Sequence, residues 1–447
     1  MVREKILELL ESKKYPQIKE QVESMHEADI AELFADIEDP ALSLRFFRLL
    51  PKQQAAEVFA FLEPDVQQTL IERLTDTELA SVVGGMFLDD YVDMIEEMPA
   101  NVVQRILKYS SAKNRSLINQ YLNYPDDSAG SVMTCEYVGF KQDMVVRDAF
   151  DVIRKTGVEK ETVYNCYVMN AQRQLVGVVS VLELIMADQS KTVGEIMTEN
   201  PIYVHTLDDK EEVAKMFSHY DLVAMPVVDN EERLVGIITV DDAVDVIQDE
   251  NTEDFEKMAG MAPSEDTYLK TSVWQLAKNR ILWLMILMIS AMITGALLES
   301  YEAAIATIPL LVSFIPMLMD TGGNSGSQAA TMIIRGMALD EIELTDVFKV
   351  WWKEIRVALI VSAALATVNF IRISIQYRDM QVAAVVCCTL MVTVLLAKSL
   401  GCLLPMLAKK LKLDPAIMAA PMITTITDAC SIFVFFTFAM HILKSRL

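Results

Sequence analysis

The chain has 447 residues, 52% of them hydrophobic, and its formal net charge is −24. The charge is uneven, because residues 1–270 carry 25 basic and 52 acidic side chains, whereas residues 271–447 carry 14 basic and 11 acidic ones. Such an acidic first part argues against nucleic acid as a partner, since phosphates require basic surface, and it favours a cation. The length suggests about three domains.

Residues 1–130 are predicted to form an acidic, all-α domain. Apolar residues recur at helical spacing in DIAELFADI, AAEVFAFL and DDYVDMIEEM, and prolines separate these runs. Asp89 and Asp93 are four residues apart, so they share a helix face and repel each other. A solvated helix face explains these carboxylates as well as a cation site does. The charged, amphipathic opening MVREKILELLESKK places the N-terminus in the cytoplasm.

Residues 131–247 contain a duplicated module. SVMTCEYVGFKQDMVVRDAFDVIRK parallels EIMTENPIYVHTLDDKEEVAKMFSH, and LVGVVSVLELI parallels LVGIITVDDAVDVI. Each copy predicts the order strand, helix, strand, strand, helix. The repeated pattern resembles a tandem pair of CBS domains, regulatory α/β modules that often bind adenine nucleotides. The resemblance thus implies a possible adenine nucleotide in the cleft, where Glu183 lies at a position that often contacts ribose.

An acidic connector follows the duplicated module. Residues 241–260 hold eight carboxylates and one basic residue, Lys257, and the run has no proline. The pattern predicts a helix that leads towards the membrane, and we place the connector at residues 248–275. So many like charges strain an isolated helix, but cations between them would relieve the repulsion. An ordinary solvated acidic helix remains the alternative.

Residues 276–447 predict a membrane domain of five helices. Apolar runs occupy about 281–298, 303–334, 357–371, 382–407 and 415–443. Basic residues cluster before the first run, between the second and third and between the fourth and fifth, which predicts that these segments lie inside. Five spans with a cytoplasmic start place the C-terminus outside. The second run contains DTGGNSGSQ, and we interpret it as broken, because glycine-rich irregular backbone is tolerated at membrane depth only in a protein or water-filled environment.

Asp428 is the carboxylate around which the membrane domain is interpreted. It lies in an otherwise apolar run, where an acidic residue is costly and usually functional. Ala420 and Thr424 precede it on the same helix face, which is small and partly oxygen-bearing. Such a face suits a hydrated hard cation, which prefers oxygen ligands. A carboxylate that pairs with a neighbouring helix only for assembly would give the same pattern.

The segment IPMLMDTGGNSGSQAATMIIRG, together with LDPAI and P-x-x-T-T-x-x-D further on, resembles the MgtE-type magnesium channel/transporter family. The order of acidic helical domain, CBS pair, acidic connector and five spans matches along nearly the whole chain. The resemblance implies a homodimer in the cell (inner) membrane, whose two fifth helices line a pore with Asp428 as the pore carboxylate. It also implies Mg²⁺ as the transported ion and as the ligand that closes the channel from the cytosol.

By the same resemblance, a set of carboxylates binds Mg²⁺ outside the pore. These predicted residues are Glu57, Asp89, Asp93, Asp221, Asp242, Asp245, Glu250, Glu253 and Asp254, with Asp414 near the inner mouth. The sequence departs from the pattern at Ala420, where some members have asparagine. Asp320 and Lys398 add charges within the predicted spans.

Three other functions compete with a Mg²⁺ channel as interpretations of the sequence. A CBS-regulated membrane enzyme, such as an intramembrane metalloprotease, lacks its motif, because the four histidines form no HExxH. A membrane-anchored nucleotide sensor leaves Asp428 unexplained. Transport of another divalent cation, such as Co²⁺ or Mn²⁺, stays open, although the sequence has no Cys/His cluster for softer metals.

Overall fold

The computed structural model describes residues 2–37, 39–110, 112–157, 160–264, 268–418 and 420–444. The chain divides into two compact units, residues 1–248 and residues 249–447. Each unit is described separately below.

The first unit opens with ten short helices, as the helical spacing of the apolar residues predicts. They are α1 Val2–Glu11, α2 Tyr15–Val22, α3 Glu27–Phe34, α4 Pro40–Phe47, α5 Lys52–Ala60, α6 Pro64–Arg73, α7 Asp76–Val83, α8 Leu88–Glu97, α9 Ala100–Tyr109 and α10 Ala112–Tyr121. Proline stands at the first position of α4 and α6, where its missing N–H costs nothing. The buried faces form an apolar core that includes Phe34, Phe46 and Phe59.

The duplicated module follows with the predicted order of elements in each copy. The first copy contains β1 Gly139–Lys141, α11 Val146–Thr156, β2 Asn165–Met169, β3 Leu175–Ser180 and α12 Val181–Met186, followed by α13 Val193–Ile196 and β4 Thr198–Glu199. The second contains β5 Val204–His205, α14 Lys210–Tyr220, β6 Ala224–Val228, β7 Leu234–Thr239 and the start of α15 Val240–Met258.

The two copies share one strand topology. In each, the first strand pairs in parallel with the second, which pairs antiparallel with the third. Backbone hydrogen bonds join the two hairpins, from Leu175 N–H to the Glu232 carbonyl at 3.0 Å and from Leu234 N–H to the Arg173 carbonyl at 3.2 Å. The second copy belongs to the same apolar core as the N-terminal helices, whereas the first copy has a core of its own.

The acidic run at residues 241–260 is helical, as predicted, but the helix ends well before residue 275. Helix α15 begins at Val240 and ends at Met258, so helix covers only the first part of the predicted connector, residues 248–275. Gly260 follows with φ +72°, a left-handed conformation that glycine adopts without a steric penalty. The next long helix begins at Val273.

The second unit is a bundle of helices, most of which are long and apolar. They are α16 Val273–Glu299, α17 Glu302–Thr307, α18 Ile315–Ala338, α19 Val347–Tyr377, α20 Met380–Lys410 and α21 Ala420–Ile442. Among the described residues, four stretches are long and apolar enough to cross a membrane: Val273–Glu299, Leu344–Tyr377, Met380–Lys410 and Pro415–Ile442. The predicted count of five spans is therefore not confirmed by hydropathy.

Helix α18 is the remaining candidate, and its shape differs from the prediction. Its 24 residues run without interruption through Gly322 and Gly323, so the interpretation of this glycine-rich stretch as irregular backbone is wrong. The break lies earlier, in a 3₁₀ turn at Pro309–Phe314. The helix is about 36 Å long at 1.5 Å per residue, which is enough to span a bilayer. Its polar composition keeps its hydropathy low.

The glycines of α18 allow close helix packing. A Cβ atom at Gly322 would lie 2.7 Å from Thr393 Cγ2 on α20, and one at Gly323 would lie 2.8 Å from Thr424 Cγ2 on α21. Small residues at such positions let helix backbones approach each other within a membrane. The glycine pattern therefore marks contacts between helices.

Candidate cation sites

Three carboxylates lie together on α8 in the first unit. The apolar residues of this helix, including Tyr91, Val92 and Ile95, are buried. That packing fixes the helix, with Asp89 and Asp90 in its first turn and Asp93 one turn later. The sequence predicted Asp89 and Asp93 as cation ligands but did not include Asp90.

Asp242 is held at the start of α15 by local hydrogen bonds. The Thr239 hydroxyl donates to its Oδ2 atom at 2.6 Å, and the Thr239 N–H donates to the same atom at 3.2 Å. This contact satisfies a backbone donor that a helix N-terminus leaves unpaired. It also fixes the carboxylate of Asp242, which is only partly exposed.

The carboxylates of α8 and Asp242 act on one another electrostatically. Burial and then the charge of Asp90 raise the pKa of Asp89 well above its ordinary value, with a further contribution from Asp242. Burial and the charge of Asp242 raise the pKa of Asp90 to about 6. Burial also raises the pKa of Asp242 to about 6, although the hydrogen bonds from Thr239 lower it. The structure therefore concentrates negative charge that water screens poorly.

Asp93 belongs to the same group. Asp93 is exposed, yet the surrounding protein removes enough solvent to raise its pKa to about 7, together with the charges of Glu96, Asp90 and Asp242. Asp90 and Asp93 also line an open cleft of about 270 Å³ beside Glu63 and Glu97.

Glu161 joins this group from the duplicated module, and the sequence did not predict it. Burial, followed by the charges of Asp241 and Asp242, raises its pKa to about 7. Its Oε2 atom and Asp89 Oδ1 are buried, and neither accepts a hydrogen bond from the part of the chain that the structure describes. We call Asp89, Asp90, Asp93, Glu161 and Asp242 the carboxylate cluster.

The carboxylate cluster has the donor chemistry of a site for a hard divalent cation. Its members supply only oxygen ligands, which Mg²⁺ prefers. Two buried oxygens without hydrogen bonds leave acceptor capacity for an ion or its waters. Within the described ranges, however, no three Asp, Glu, His or Cys side chains converge as ligands of one metal ion. The cluster therefore supplies charge for a hydrated ion rather than a preformed cage.

The other carboxylates predicted for this unit lie outside the cluster. Glu57 is exposed on α5, and partial burial and the charge of Glu27 raise its pKa. Asp221 ends α14 in the left-handed conformation, with φ 53° and an exposed side chain. Asp245 is exposed on α15, and its charge raises the pKa of Asp242.

Glu250, Glu253 and Asp254 lie on the last turns of α15, in the second unit. Glu253 forms an ion pair with Lys257, whose Nζ atom is 2.5 Å from Glu253 Oε1. The same Nζ atom is 2.7 Å from Asp414 Oδ2. Burial alone would lower the pKa of Lys257, but the hydrogen bonds to Asp414 and Glu253 outweigh it and raise the pKa.

Asp428 lies on α21 in the second unit and is partly exposed. The charge of Asp320 on α18 acts on it. One turn before Asp428, Thr424 donates its hydroxyl to the Pro421 carbonyl at 2.9 Å, so the lone pairs of that hydroxyl remain able to accept hydrogen bonds. Ala420 begins α21, and its side chain lies outside the described ones.

A polar stripe on α18 accompanies Asp428, and the sequence reasoning did not assign it to the site. Asp320, Asn324 and Gln328 are spaced four residues apart and are all exposed. The Asn324 amide donates to Asp320 Oδ1 at 3.0 Å. The spacing of these residues could have revealed the stripe if the stretch had been interpreted as helix.

Lys398, the other charge noted within a predicted span, has a partner. Its side chain is buried on α20, and its Nζ atom is 3.4 Å from Glu354 Oε2 on α19. Charged residues at membrane depth generally pair in this way. The pair joins the two helices.

Comparisons with known proteins cover nearly the whole chain. Family models match residues 315–438 as a divalent cation transporter (MgtE), residues 25–127 as the MgtE intracellular N domain, and residues 129–190 and 193–249 as CBS domains. The magnesium transporter MgtE of Thermus thermophilus is 33% identical over 434 residues, which cover 96% of this chain and 95% of that protein. The chain belongs to the MgtE family of magnesium transporters.

Other members of the family extend the comparison. The MgtE of Bacillus subtilis is 30% identical over 441 residues, covering 99% of this chain and 97% of that protein. A crystal structure of the cytosolic domain of the Mg²⁺ channel MgtE in complex with ATP is 34% identical, with a TM-score of 0.51, and covers 54% of this chain and 98% of that one. The predicted family and the predicted order of helical domain, CBS pair and membrane domain are thus confirmed, whereas the count of five spans is not. As an MgtE transporter with several membrane-capable helices, the chain is a multi-pass membrane protein.

Proposed function

We propose that this MgtE protein is a Mg²⁺-selective channel that cytosolic Mg²⁺ closes. The observation that carries the conduction pathway is Asp428, on which the charge of Asp320 acts, together with the exposed polar stripe of α18. Polar side chains on an open face of a membrane domain mark a water-filled path or an interface with another subunit. In a homodimer, two copies of this face would enclose one path.

The ligands in the pathway suit a hydrated ion. Mg²⁺ dehydrates reluctantly and usually keeps several of its waters. Asp428 would accept hydrogen bonds from those waters, with Thr424 and the backbone near Ala420 offering further oxygen acceptors. Paired carboxylates from two subunits and the width of the path would then provide selectivity.

The carboxylate cluster supports regulation by cytosolic Mg²⁺. Without a cation, burial and then the charges of neighbouring carboxylates disfavour the ionised form of its members, which raises their pKa values. A divalent ion would replace this repulsion with bridging and stabilise the compact first unit. The compact form is then the one that Mg²⁺ favours, and we assign it to the closed channel.

The orientation in the cell (inner) membrane remains the one that the charges predict. The N-terminus and the first unit lie in the cytoplasm, and the C-terminus lies outside. Lys409 and Lys410 end α20 on the cytoplasmic side by this scheme. The protein acts as a transporter and carries out no covalent chemistry.

An adenine nucleotide is a further ligand that we propose for the CBS pair, because a related cytosolic domain was solved with ATP. Glu183, the residue considered for ribose, accepts hydrogen bonds from the N–H and hydroxyl of Ser180 at 2.7 and 2.8 Å. These hydrogen bonds cap the N-terminus of α12, so Glu183 stabilises this helix whether or not a nucleotide is bound.

Flux through the purified protein in lipid vesicles tests the proposal. We expect Mg²⁺ to enter vesicles and Ca²⁺ to be excluded, because Ca²⁺ sheds its waters more readily and prefers direct ligands. Co²⁺ and Mn²⁺ are the alternative cargoes, and each is measured alone. Preferred flux of either of these ions over Mg²⁺ would replace the proposed substrate, and the absence of any divalent flux would contradict the function.

A further inference from the structure

The last turn of α15 is joined to the segment before α21 by one lysine. Lys257 Nζ lies 2.5 Å from Glu253 Oε1 and 2.7 Å from Asp414 Oδ2. Asp414 is held in place, because its Oδ1 atom accepts a hydrogen bond from the Ala416 N–H at 2.8 Å. The ammonium group, with three donors, thus bridges two carboxylates that are far apart in the sequence.

Apolar packing fixes the same helix end. Met258 packs against a cluster formed by Ala330, Ile334 and Ile423, which belong to α18 and α21. Ile423 directly precedes Thr424 of the proposed pathway. The end of α15 is therefore docked on α18 and α21 by an apolar contact and by the Lys257 bridge beside it.

A divalent ion cannot occupy the position of the ammonium while Lys257 is there. Glu253 and Asp414 are both residues that the family resemblance gives to Mg²⁺. In this structure, however, their shared cation is a side chain of the protein. Two carboxylates without any cation between them would repel each other at this half-buried position.

We propose that Lys257 is a built-in cation that takes the place of Mg²⁺ between Glu253 and Asp414. It docks the end of the connector helix on the pore helices without a divalent ion. The Mg²⁺ dependence of the protein then arises at other carboxylates. Removal of the ammonium would convert this contact into a Mg²⁺-dependent one, because the two carboxylates would need an external cation.

Hydrogen–deuterium exchange of the full-length protein in lipid nanodiscs tests this inference. The amides of residues 254–258 report whether the helix end is docked, because an undocked last turn frays. In the wild type, we expect these amides to be protected equally in EDTA and in Mg²⁺. In Lys257→Met, which keeps the length and loses the charge, we expect about tenfold less protection in EDTA, since a half-buried charge network is lost. Millimolar Mg²⁺ should restore it.

Two further variants serve as controls. Lys257→Arg retains the cation, so it should behave as the wild type. Lys257→Met combined with Asp414→Asn removes one of the two carboxylates and with it their repulsion, so its protection should be the same in EDTA and in Mg²⁺. This control excludes an indirect effect of Mg²⁺ bound elsewhere in the protein.

The inference is overturned by any of three results. The wild type could lose its protection at residues 254–258 in EDTA, Lys257→Met could stay protected in EDTA, or Mg²⁺ could fail to restore the Lys257→Met protein. Exchange is measured without transport, so these outcomes are independent of whether the protein conducts Mg²⁺.

Discussion

At the scale of single residues, the central prediction concerns Asp428. Asp428→Asn keeps the shape of the side chain and removes its charge, and Asp428→Ala removes both. Both variants should assemble normally, because the cost of placing a charge in an apolar helix disappears with it. We expect Mg²⁺ flux to fall at least about tenfold in each, which corresponds to ~1.4 kcal/mol of lost ion stabilisation.

Asp346→Asn is the matched control for Asp428. Asp346 lies between α18 and α19 and pairs with Lys349 at 2.7 Å. A surface ion pair of this kind contributes little to stability, so flux should match that of the wild type. Wild-type flux in Asp428→Ala would remove Asp428 from the pathway.

The sequence alone identified Asp428 as a candidate site residue, but it did not identify Glu161. Asp428 could be found because an acidic residue in an apolar run is conspicuous. Glu161 could not be found, because it lies in a loop of the first CBS copy and approaches Asp241 and Asp242 only through tertiary folding. Lys257 stands out in the sequence as a lone basic residue. Its ion pair with Asp414 could not be predicted, because the two residues are more than 150 positions apart in the chain.

At the scale of helices, the prediction concerns the packing of α18. Gly323→Val places a β-branched side chain where even a Cβ atom would lie 2.8 Å from Thr424 Cγ2. The helices would have to move apart, and overpacking of this kind typically costs about 1–3 kcal/mol. We expect a lower yield of folded protein and lower flux, measured by size-exclusion chromatography and by vesicle uptake.

Gly295→Val is the control for the same chemical change. Gly295 lies on α16, and a Cβ atom there would meet no atom of the described residues within 4 Å. Both variants lose the same glycine flexibility, so only packing separates them. Equal yield and flux in the two variants would mean that α18 tolerates bulk and that its close approach to α21 is unimportant.

The helices themselves were largely predictable, and the exception has a physical reason. Long apolar runs identified α16, α19, α20 and α21, because hydrophobic length is the main requirement for crossing a bilayer. The run DTGGNSGSQ was interpreted as a break, since glycine disfavours helix in water. Inside a bundle, the close packing that glycine permits outweighs that cost, and only the tertiary structure shows the neighbours that provide it.

At the scale of the whole protein, the carboxylate cluster predicts a dependence on pH. Asp93 and Glu161 have pKa values near 7 in the folded protein, and Asp90 and Asp242 near 6, all above their ordinary values of 3.8 or 4.5. The folded state therefore holds these protons more tightly than the unfolded state. In EDTA, the stability of residues 1–248 should fall as the pH rises from about 4 to about 7.

Hydrogen exchange of α8 in EDTA, followed from pH 5 to pH 8 and corrected for the intrinsic exchange rate, measures this dependence. Asp90→Asn combined with Glu161→Gln removes two of the four carboxyl groups whose pKa values lie near 6 or 7. The change in stability per pH unit should therefore fall by roughly half. Asp151→Asn, which changes an exposed carboxylate paired with Arg154, is the control and should leave the slope unchanged. A slope of zero in the wild type would mean that the cluster carries no electrostatic strain.

In the proposed mechanism, cytosolic Mg²⁺ closes the channel by binding carboxylates of the first unit and the connector. Several weak sites together must supply about 5.5 kcal/mol to move the protein from mostly open to mostly closed. Asp242→Asn combined with Glu250→Gln should reduce the total free energy of Mg²⁺ binding without changing the residues of the conduction pathway. Conduction at low Mg²⁺ should then be unchanged, while closure requires a higher concentration.

The most direct measurement is single-channel recording from excised patches, with the cytosolic Mg²⁺ concentration raised stepwise for the wild type and for the Asp242→Asn, Glu250→Gln variant. We expect the wild-type open probability to fall as Mg²⁺ rises, and the variant to follow the same curve at several-fold higher Mg²⁺. An open probability indifferent to cytosolic Mg²⁺ in the wild type, or identical curves for the two proteins, would contradict the proposed mechanism.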